Sequence, residues 1–218
     1  MLERVLEPEV MDTDEEARDY NSMDHDEVNR RFVDDLIEAG YTGGDLLDLG
    51  TGTALIPIEL GRRQLPGRMM AADAAVSMLE LARYNVESVG MAGRIQLSHC
   101  DAKQMPYADG MFDWVISNSI IHHIPEPLQV LKEAWRVTNA GGWLFFRDLA
   151  RPESQEQLQH LVDTYAADCN ASQRKMFAES LHAALTVEEI AAMLQEIGAE
   201  PKRLEMTSDR HWTFLVQR

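Results

Sequence analysis

Two cysteines, Cys100 and Cys169, are too few for a disulfide framework, and neither belongs to a Cys-x-x-Cys pair. A reducing compartment suits such a chain. Basic residues are also scarce, with 20 Lys and Arg against 37 Asp and Glu, a formal net charge of −17. That balance repels phosphate backbones, and no Lys/Arg cluster interrupts it, so nucleic acid is not an expected partner. No apolar run approaches the length that crosses a bilayer. The acidic start lacks the basic residues and apolar segment of a signal peptide, so the expectation is a cytoplasmic protein without membrane insertion. Internal repeats and low-complexity linkers are missing as well, which leaves 1–218 as one domain with a sizeable core.

What is present is organised around Asp45 to Ile58, Asp-Leu-Leu-Asp-Leu-Gly-Thr-Gly-Thr-Ala-Leu-Ile-Pro-Ile. Leu46, Leu47 and Leu49 form an apolar run too short for a helix and suited to a strand buried on both faces. Gly50 and Gly52 let the backbone turn sharply and approach a ligand. Leu55, Ile56, Pro57, Ile58 and Leu60 read as the opening of a helix. Strand, glycine turn and helix bring backbone N–H groups and a helix N-terminus to one point, which favours the polar end of a nucleotide-like ligand. A dinucleotide fingerprint wants a third glycine where this chain has Leu55. An Asp-x-Gly-x-Gly-x-Gly motif is matched by Asp48, Gly50 and Gly52, with Ala54 in the last place. An ordinary strand-to-helix turn is the third reading.

Residues 1 to about 24 are an acidic arm, and Val28, Phe32, Val33, Leu36 and Ile37 mark an amphipathic helix after it. Tyr20 and Met23, just ahead of that helix, suggest that the arm folds over the cleft mouth as a lid. Beyond the glycine turn, Gly67 to Ala72 reads as a second strand ending at Asp73, about 20 residues on, where a one-helix crossover delivers an acid to a ribose diol. Val76, Leu79, Ala82, Val86 and Val89 recur at helical spacing, with Gly90 as the stop. Arg94 to His99, Phe112 to Ser117 and Trp143 to Leu149 read as three further strands, with a helix marked by Leu128, Leu131 and Trp135. Strands alternating with helices predict a parallel sheet with right-handed crossovers. Residues 151–218 read as helical segments opened by capping boxes at Ser154 with Gln157 and Thr186 with Glu189. A closing hairpin follows, Pro201 to Thr207 and His211 to Gln217, turning at Ser208-Asp209-Arg210.

Together these pieces resemble class I S-adenosylmethionine-dependent methyltransferases, of the small type similar to ubiquinone/menaquinone-biosynthesis enzymes. The resemblance rests on Leu-Asp-Leu-Gly-Thr-Gly-Thr, Asp73, Cys100-Asp101-Ala102, Phe-Asp-Trp-Val-Ile-Ser-Asn-Ser, His-His-Ile-Pro-Glu-Pro, and Glu133 to Gly142. By motif it covers 25–150, the expected cofactor-binding core. It implies an α/β Rossmann-like fold, a seven-stranded mostly parallel sheet in the order 3-2-1-4-5-7-6 with strand seven antiparallel, and helices on both faces. It also implies S-adenosylmethionine as cofactor, S-adenosylhomocysteine as product and a small-molecule acceptor. Asp48, Gly50, Thr51 and Gly52 would line the methionine and ribose portion, and Asp73 would hold the ribose hydroxyls. Ala74 and Met78 would pack on the adenine, and Asp101 would accept from its amino group beside the Ala102 N–H. Asn118 would face the methionyl end, and Tyr20 would cover the cofactor.

Methyl transfer from a sulfonium needs a base only when the acceptor keeps its proton until attack. His122 is the candidate base, since the loop after strand four borders the transfer site. Adjacent His122 and His123 invite a metal, but no Cys, Asp or Glu stands near them in zinc-site spacing, so none is expected. Arg147, Asp148 and Arg151 lie at the end of strand five, and Arg210 and His211 at the hairpin turn. Parallel-sheet topology brings both to the same edge. They are the candidate acceptor-binding (Arg147, Arg151, Arg210) and proton-handling (Asp148, His211) residues for a polar acceptor. A nicotinamide-dependent oxidoreductase and a binding protein without turnover are the alternatives.

Overall fold

The computed structural model describes residues 2–7, 12–13 and 26–218; Tyr20 and Met23 lie outside them. Seven strands form one sheet: β1 (Leu46–Leu49), β2 (Met69–Asp73), β3 (Ile95–His99), β4 (Phe112–Asn118), β5 (Thr138–Leu149), β6 (Pro201–Met206) and β7 (His211–Gln217). Their order is β3-β2-β1-β4-β5-β7-β6, with β7 antiparallel to both neighbours and the other pairs parallel. This is the sheet that the resemblance implied.

Helices α1 (Asp26–Glu38), α2 (Leu55–Arg62) and α3 (Val76–Ser88) cover one face. Phe32, Val33 and Leu36 of α1 pack there with Leu46, Trp114, Ile116, Phe145 and Leu215, while Val28 stays exposed. The other face carries α4 (Pro127–Val137) and α7 (Val187–Glu196), whose Val130, Leu131, Ala134, Ile190 and Leu194 meet Leu47, Leu49, Val115, Leu144 and Phe146. Alternate residues of one strand serve opposite cores, as the two-residue period of a strand requires. Helices α5 (Gln155–Tyr165) and α6 (Ala171–Ala183) form a smaller cluster beside the end of β5, through Leu149, Leu158, Leu161, Val162 and Leu181.

Three local features depart from the sequence reading. β5 begins at Thr138, not Trp143: Phe112 pairs with Thr138 and Trp114 with Trp143, so Asn139 to Gly142 bulge opposite Asp113. A Cβ on Gly142 would stand 2.7 Å from the Asp113 carbonyl oxygen, which explains a glycine inside a strand. At Ser154 the cap is one-sided, because the Gln157 side chain accepts from Glu153 N–H; Thr186 and Glu189 form the full box. Helix α6 is opened by a further box, Asn170 with Gln173. It was illegible because only Leu181 and Ala183 of its residues are buried, too few to make a periodic pattern.

Candidate active site

The site lies at the carboxyl ends of β1, β2, β4 and β5, where the order reverses between β1 and β4. Gly50 has φ +68°, and a Cβ there would stand 1.9 Å from Ile120 Cγ2, so the turn after β1 is pressed against the loop after β4. Ala54, at the N-cap of α2, is held at φ 62°, a left-handed conformation that costs a non-glycine residue about 1 kcal/mol. Pro57, in the first turn of α2, loses no hydrogen bond by lacking an N–H. Asp73 Oδ2 accepts from the Gly52 N–H (2.8 Å) and Oδ1 from the Ala75 N–H (2.9 Å). Burial pushes its carboxyl up, against the lowering by these N–H groups. Each oxygen keeps a lone pair for a further donor, the requirement for clasping a vicinal diol.

Asp48 is buried under the same turn, and its Oδ2 has no hydrogen-bond partner among the described residues. Desolvation pushes the Asp48 carboxyl up to about 7, with the Thr51 hydroxyl lowering it and the Asp73 charge raising it further. Thr53 also buries a hydroxyl without a partner among the described residues. Orphaned buried polar atoms beside a left-handed glycine turn fit a cationic, hydroxylated ligand such as S-adenosylmethionine. Met78 is buried with Ala75 in a small apolar group at the start of α3, a suitable wall for an adenine, while the neighbouring Ala74 is exposed. Asp101 Oδ1 instead accepts from the Lys103 N–H (2.8 Å) and pairs with Lys103 Nζ (3.1 Å). Ala102 is half-buried against the core, and Asn118 ends β4 beside Arg147.

A 3₁₀ turn, Ile121–His123, follows β4 and carries both histidines. His122 is buried, and its Nδ1 lies 2.5 Å from Asp148 Oδ1. Asp148 is buried at the end of β5 and accepts from the backbone N–H groups of Ile121 (2.6 Å), His122 (3.3 Å) and Leu149 (2.6 Å). Burial alone would raise the Asp148 carboxyl and lower the His122 imidazole. The charge and hydrogen bond between the two reverse both effects, leaving Asp148 below and His122 above its ordinary value.

The N-terminal residues complete the site in a way no local pattern announced. Arg4 donates to the carbonyls of Ala183 (2.7 Å), Ile124 (2.9 Å) and His122 (3.2 Å), and Val5 N–H donates to His182. Glu7 then reaches His123 Nδ1 at 3.0 Å and His122 Nε2 at 3.5 Å, and accepts from the Ser180 hydroxyl. Further along, Asp12 accepts from the Ser77 N–H at the start of α3. No acid stands in zinc-site spacing beside the histidine pair in the sequence, but folding brings Glu7 to it from the N-terminal segment.

The arginines do not converge as expected. Arg147 points to the α1 face, where it pairs with Asp35 (2.5 Å), donates to Thr213 Oγ1 (2.9 Å) and lies over the Phe32 ring. Arg151 is buried on Glu189 (2.6 Å) and the Ala184 carbonyl, tying β5 to α7. Asp148 and Arg147, adjacent in β5, serve opposite faces because a strand alternates. Only Arg210 remains at the rim, its guanidinium 3.3 Å from the Tyr165 ring centroid and 3.3 Å from Asp209. His211 is mostly buried and donates or accepts at Ser208 Oγ (2.9 Å). Burial and the Arg210 charge lower it to about 4.

Fold and site thus define a nucleoside-cofactor enzyme scaffold with a buried acid–histidine pair beside the cofactor turn. Residues 47–146 match the family described as a methyltransferase domain. Over 164 residues, 69% of this chain, it is 32% identical to the biotin biosynthesis bifunctional protein BioHC of Teredinibacter turnerae, of which it spans only 28%. It is 26% identical to the ubiquinone/menaquinone biosynthesis C-methyltransferase UbiE of Vibrio cholerae, covering 78% of this chain and 69% of that one. A 27-O-demethylrifamycin SV methyltransferase of Amycolatopsis mediterranei is 27% identical across 92% of this chain and 72% of its own. A putative S-adenosylmethionine-dependent methyltransferase structure from Methanococcus maripaludis shares the fold, with a TM-score of 0.75 at 18% identity, covering 98% of this chain and 97% of that one. Residues 47–146 thus form a methyltransferase domain of the class I S-adenosylmethionine-dependent type, and the sheet order of the chain is that of the same fold. No helix among the described residues is long and apolar enough to cross a membrane.

Proposed function

We propose that this protein transfers the methyl group of S-adenosylmethionine to a hydroxyl of a small polar molecule, with His122 as the base. The observation that carries this reading is the buried Asp148–His122 pair at the carboxyl edge of the sheet. An acceptor that is already deprotonated needs no such pair; a hydroxyl that keeps its proton until attack requires a base. The relative that acts on a demethylrifamycin hydroxyl, by its name, aligns along nearly the whole chain and is consistent with the same choice.

When bound, S-adenosylmethionine supplies a methyl group already activated as a sulfonium. Asp73 holds the ribose hydroxyls, and Asp48, Gly50, Thr51 and Gly52 hold the methionyl end, with Asn118 opposite. Met78 and Ala74 flank the adenine, and Asp101 with the Ala102 N–H reads its edge. Asp148 holds the His122 proton on Nδ1 and leaves the Nε2 lone pair facing the arm, so the acceptor hydroxyl enters between ring and arm. His122 Nε2 would take the hydroxyl proton as the oxygen gains the methyl group that bound S-adenosylmethionine would supply, with S-adenosylhomocysteine as the leaving product. Arg210 at the rim fits an acceptor carrying a carboxylate or phosphate. His211, its imidazole lowered to about 4 and so neutral above that pH, contributes a hydrogen-bonding ring and not a second base.

The test screens labelled methyl transfer against hydroxylated metabolites, then compares His122→Asn and Asp148→Asn with the wild type. Loss of the base should cut kcat by roughly 10²–10⁴-fold, with S-adenosylhomocysteine affinity unchanged by calorimetry. Near-normal turnover in His122→Asn overturns the reading. Arg210→Ala should raise the acceptor KM while leaving cofactor binding intact.

A further inference from the structure

Glu7 Oε1, His122 Nε2 and His123 Nδ1 lie within 4.8 Å of one another. Glu7 Oε1 stands 3.0 Å from one nitrogen and 3.5 Å from the other. These two distances bracket the edge of a coordination tetrahedron, about 3.3–3.4 Å for bonds of about 2.0–2.1 Å. Neither contact has the directionality of a hydrogen bond. Glu7 Oε1 and His123 Nδ1 are both buried and without a hydrogen-bond partner among the described residues. In the neutral His122 ring the Nδ1 proton goes to Asp148, which leaves Nε2, facing Glu7, as the nitrogen able to ligate a cation in place of a second proton. Lone pairs converging in this way are stabilised by a cation between them.

The surroundings have the form of a metal site as well. A ligating imidazole characteristically gives its other N–H to a carboxylate, which fixes the tautomer and raises ligand basicity. Asp148 does this for His122, and three backbone N–H groups hold Asp148 in turn. Glu7 is steadied by the Ser180 hydroxyl, and its segment by the three carbonyl contacts of Arg4. Two imidazoles and one carboxylate are a ligand set for zinc with a fourth position open.

We propose that Glu7, His122 and His123 bind a divalent cation of the zinc class, and that its binding switches methyl transfer off. The second half rests on the function proposed above: the Nε2 that takes the acceptor's proton is also a ligand, so the two uses exclude each other. The N-terminal segment is thereby the element that distinguishes an inhibited from a working site.

The experiment uses the full chain stripped with a chelator. Calorimetric titration with Zn²⁺ should show one equivalent bound at micromolar dissociation constant or tighter, and Co²⁺ should give the visible absorption of a tetrahedral site. His123→Ala and Glu7→Gln should each weaken Zn²⁺ binding at least about tenfold, and Asp148→Asn, a positioning change, by about 10–100-fold. Variants are compared only where S-adenosylhomocysteine affinity shows an intact fold; the Co²⁺ spectrum of the wild type needs no variant. No saturable binding up to about 1 mM Zn²⁺, or equal affinity in all three variants, overturns the site. Zinc binding that leaves turnover unchanged overturns the inhibition and removes His122 as base, while the site itself stands. Turnover without zinc binding does the reverse.

Discussion

Two carboxylates under the glycine turn behave differently, and each difference is measurable. Asp48, raised to about 7 by burial, binds its proton more tightly in the folded chain than in the unfolded one, where its ordinary value is 3.8. The folded state therefore holds the extra proton between those values, so stability of the cofactor-free protein falls as pH rises from about 4 to 7 and then levels. Asp48→Asn should flatten that slope in denaturant titrations across the range. The cationic methionyl end of the cofactor favours the ionised form, so binding should expel a proton. Calorimetry near pH 6.5 in two buffers of different ionisation enthalpy should register that release in the wild type and a smaller one in Asp48→Asn. Asp73 already spends one lone pair of each oxygen on backbone N–H groups. Asp73→Ala should weaken S-adenosylhomocysteine binding by roughly 1.5–3 kcal/mol, the range for hydrogen bonds to a charged group. A folded variant with wild-type affinity would remove Asp73 from the site.

The decisive element is the turn from β1 into α2, where backbone strain and close packing coincide. Gly50→Ala meets two separate penalties, a left-handed φ and contact with Ile120 Cγ2. Together they should destabilise the fold by roughly 2–4 kcal/mol. Ile120→Leu moves the branch away from Cβ, so in the Gly50→Ala background it should recover the contact share and leave the φ share. Urea unfolding of the two single variants and the double variant measures the split. Ala54 is the milder case. Ala54→Gly should relieve about 1 kcal/mol of strain and lose about 0.8 kcal/mol of buried methyl, leaving stability nearly unchanged. A loss well above that sum would show that the left-handed alanine carries no strain. This turn was legible residue by residue, because strand, glycines and helix are adjacent in the chain and their chemistry is local. Helix α6 was not, since a helix resting on the molecule by one end needs few apolar residues.

At the scale of the whole molecule, the arm joins regions that the sequence separates. Residues 2–7 bridge the end of α6 and the 3₁₀ turn, while Asp12 meets the start of α3. Deleting residues 1–12 should leave the far-UV circular dichroism of the sheet and helices in place. Hydrogen exchange in the 3₁₀ turn and the end of α6 should quicken, and Tm should fall by a few degrees, on the scale of about 1 kcal/mol. Unchanged exchange in both places would mean that the arm is not bound there in solution.

The strands, their parallel run and the positions of Asp48 and Asp73 beside the glycine turn were readable from the chain because buried strands, glycine turns and crossover lengths leave local, periodic marks, while the sheet order came from the family resemblance. The hairpin and the Thr186 cap were readable for the same reason. Asp148, His122 and His211 were placed correctly at one edge by topology alone. Which face each side chain serves was decided only by packing: strand alternation sends Arg147 to Asp35 and Asp148 to His122. Arg151 and Arg147, named from the sequence as acceptor ligands, are occupied by Glu189 and Asp35, since a buried guanidinium takes the carboxylate that folding brings nearest. Glu7 has no sequence signal at all. Its meeting with His122 and His123 spans just over half the chain, and a contact between distant segments exists only once the fold has closed.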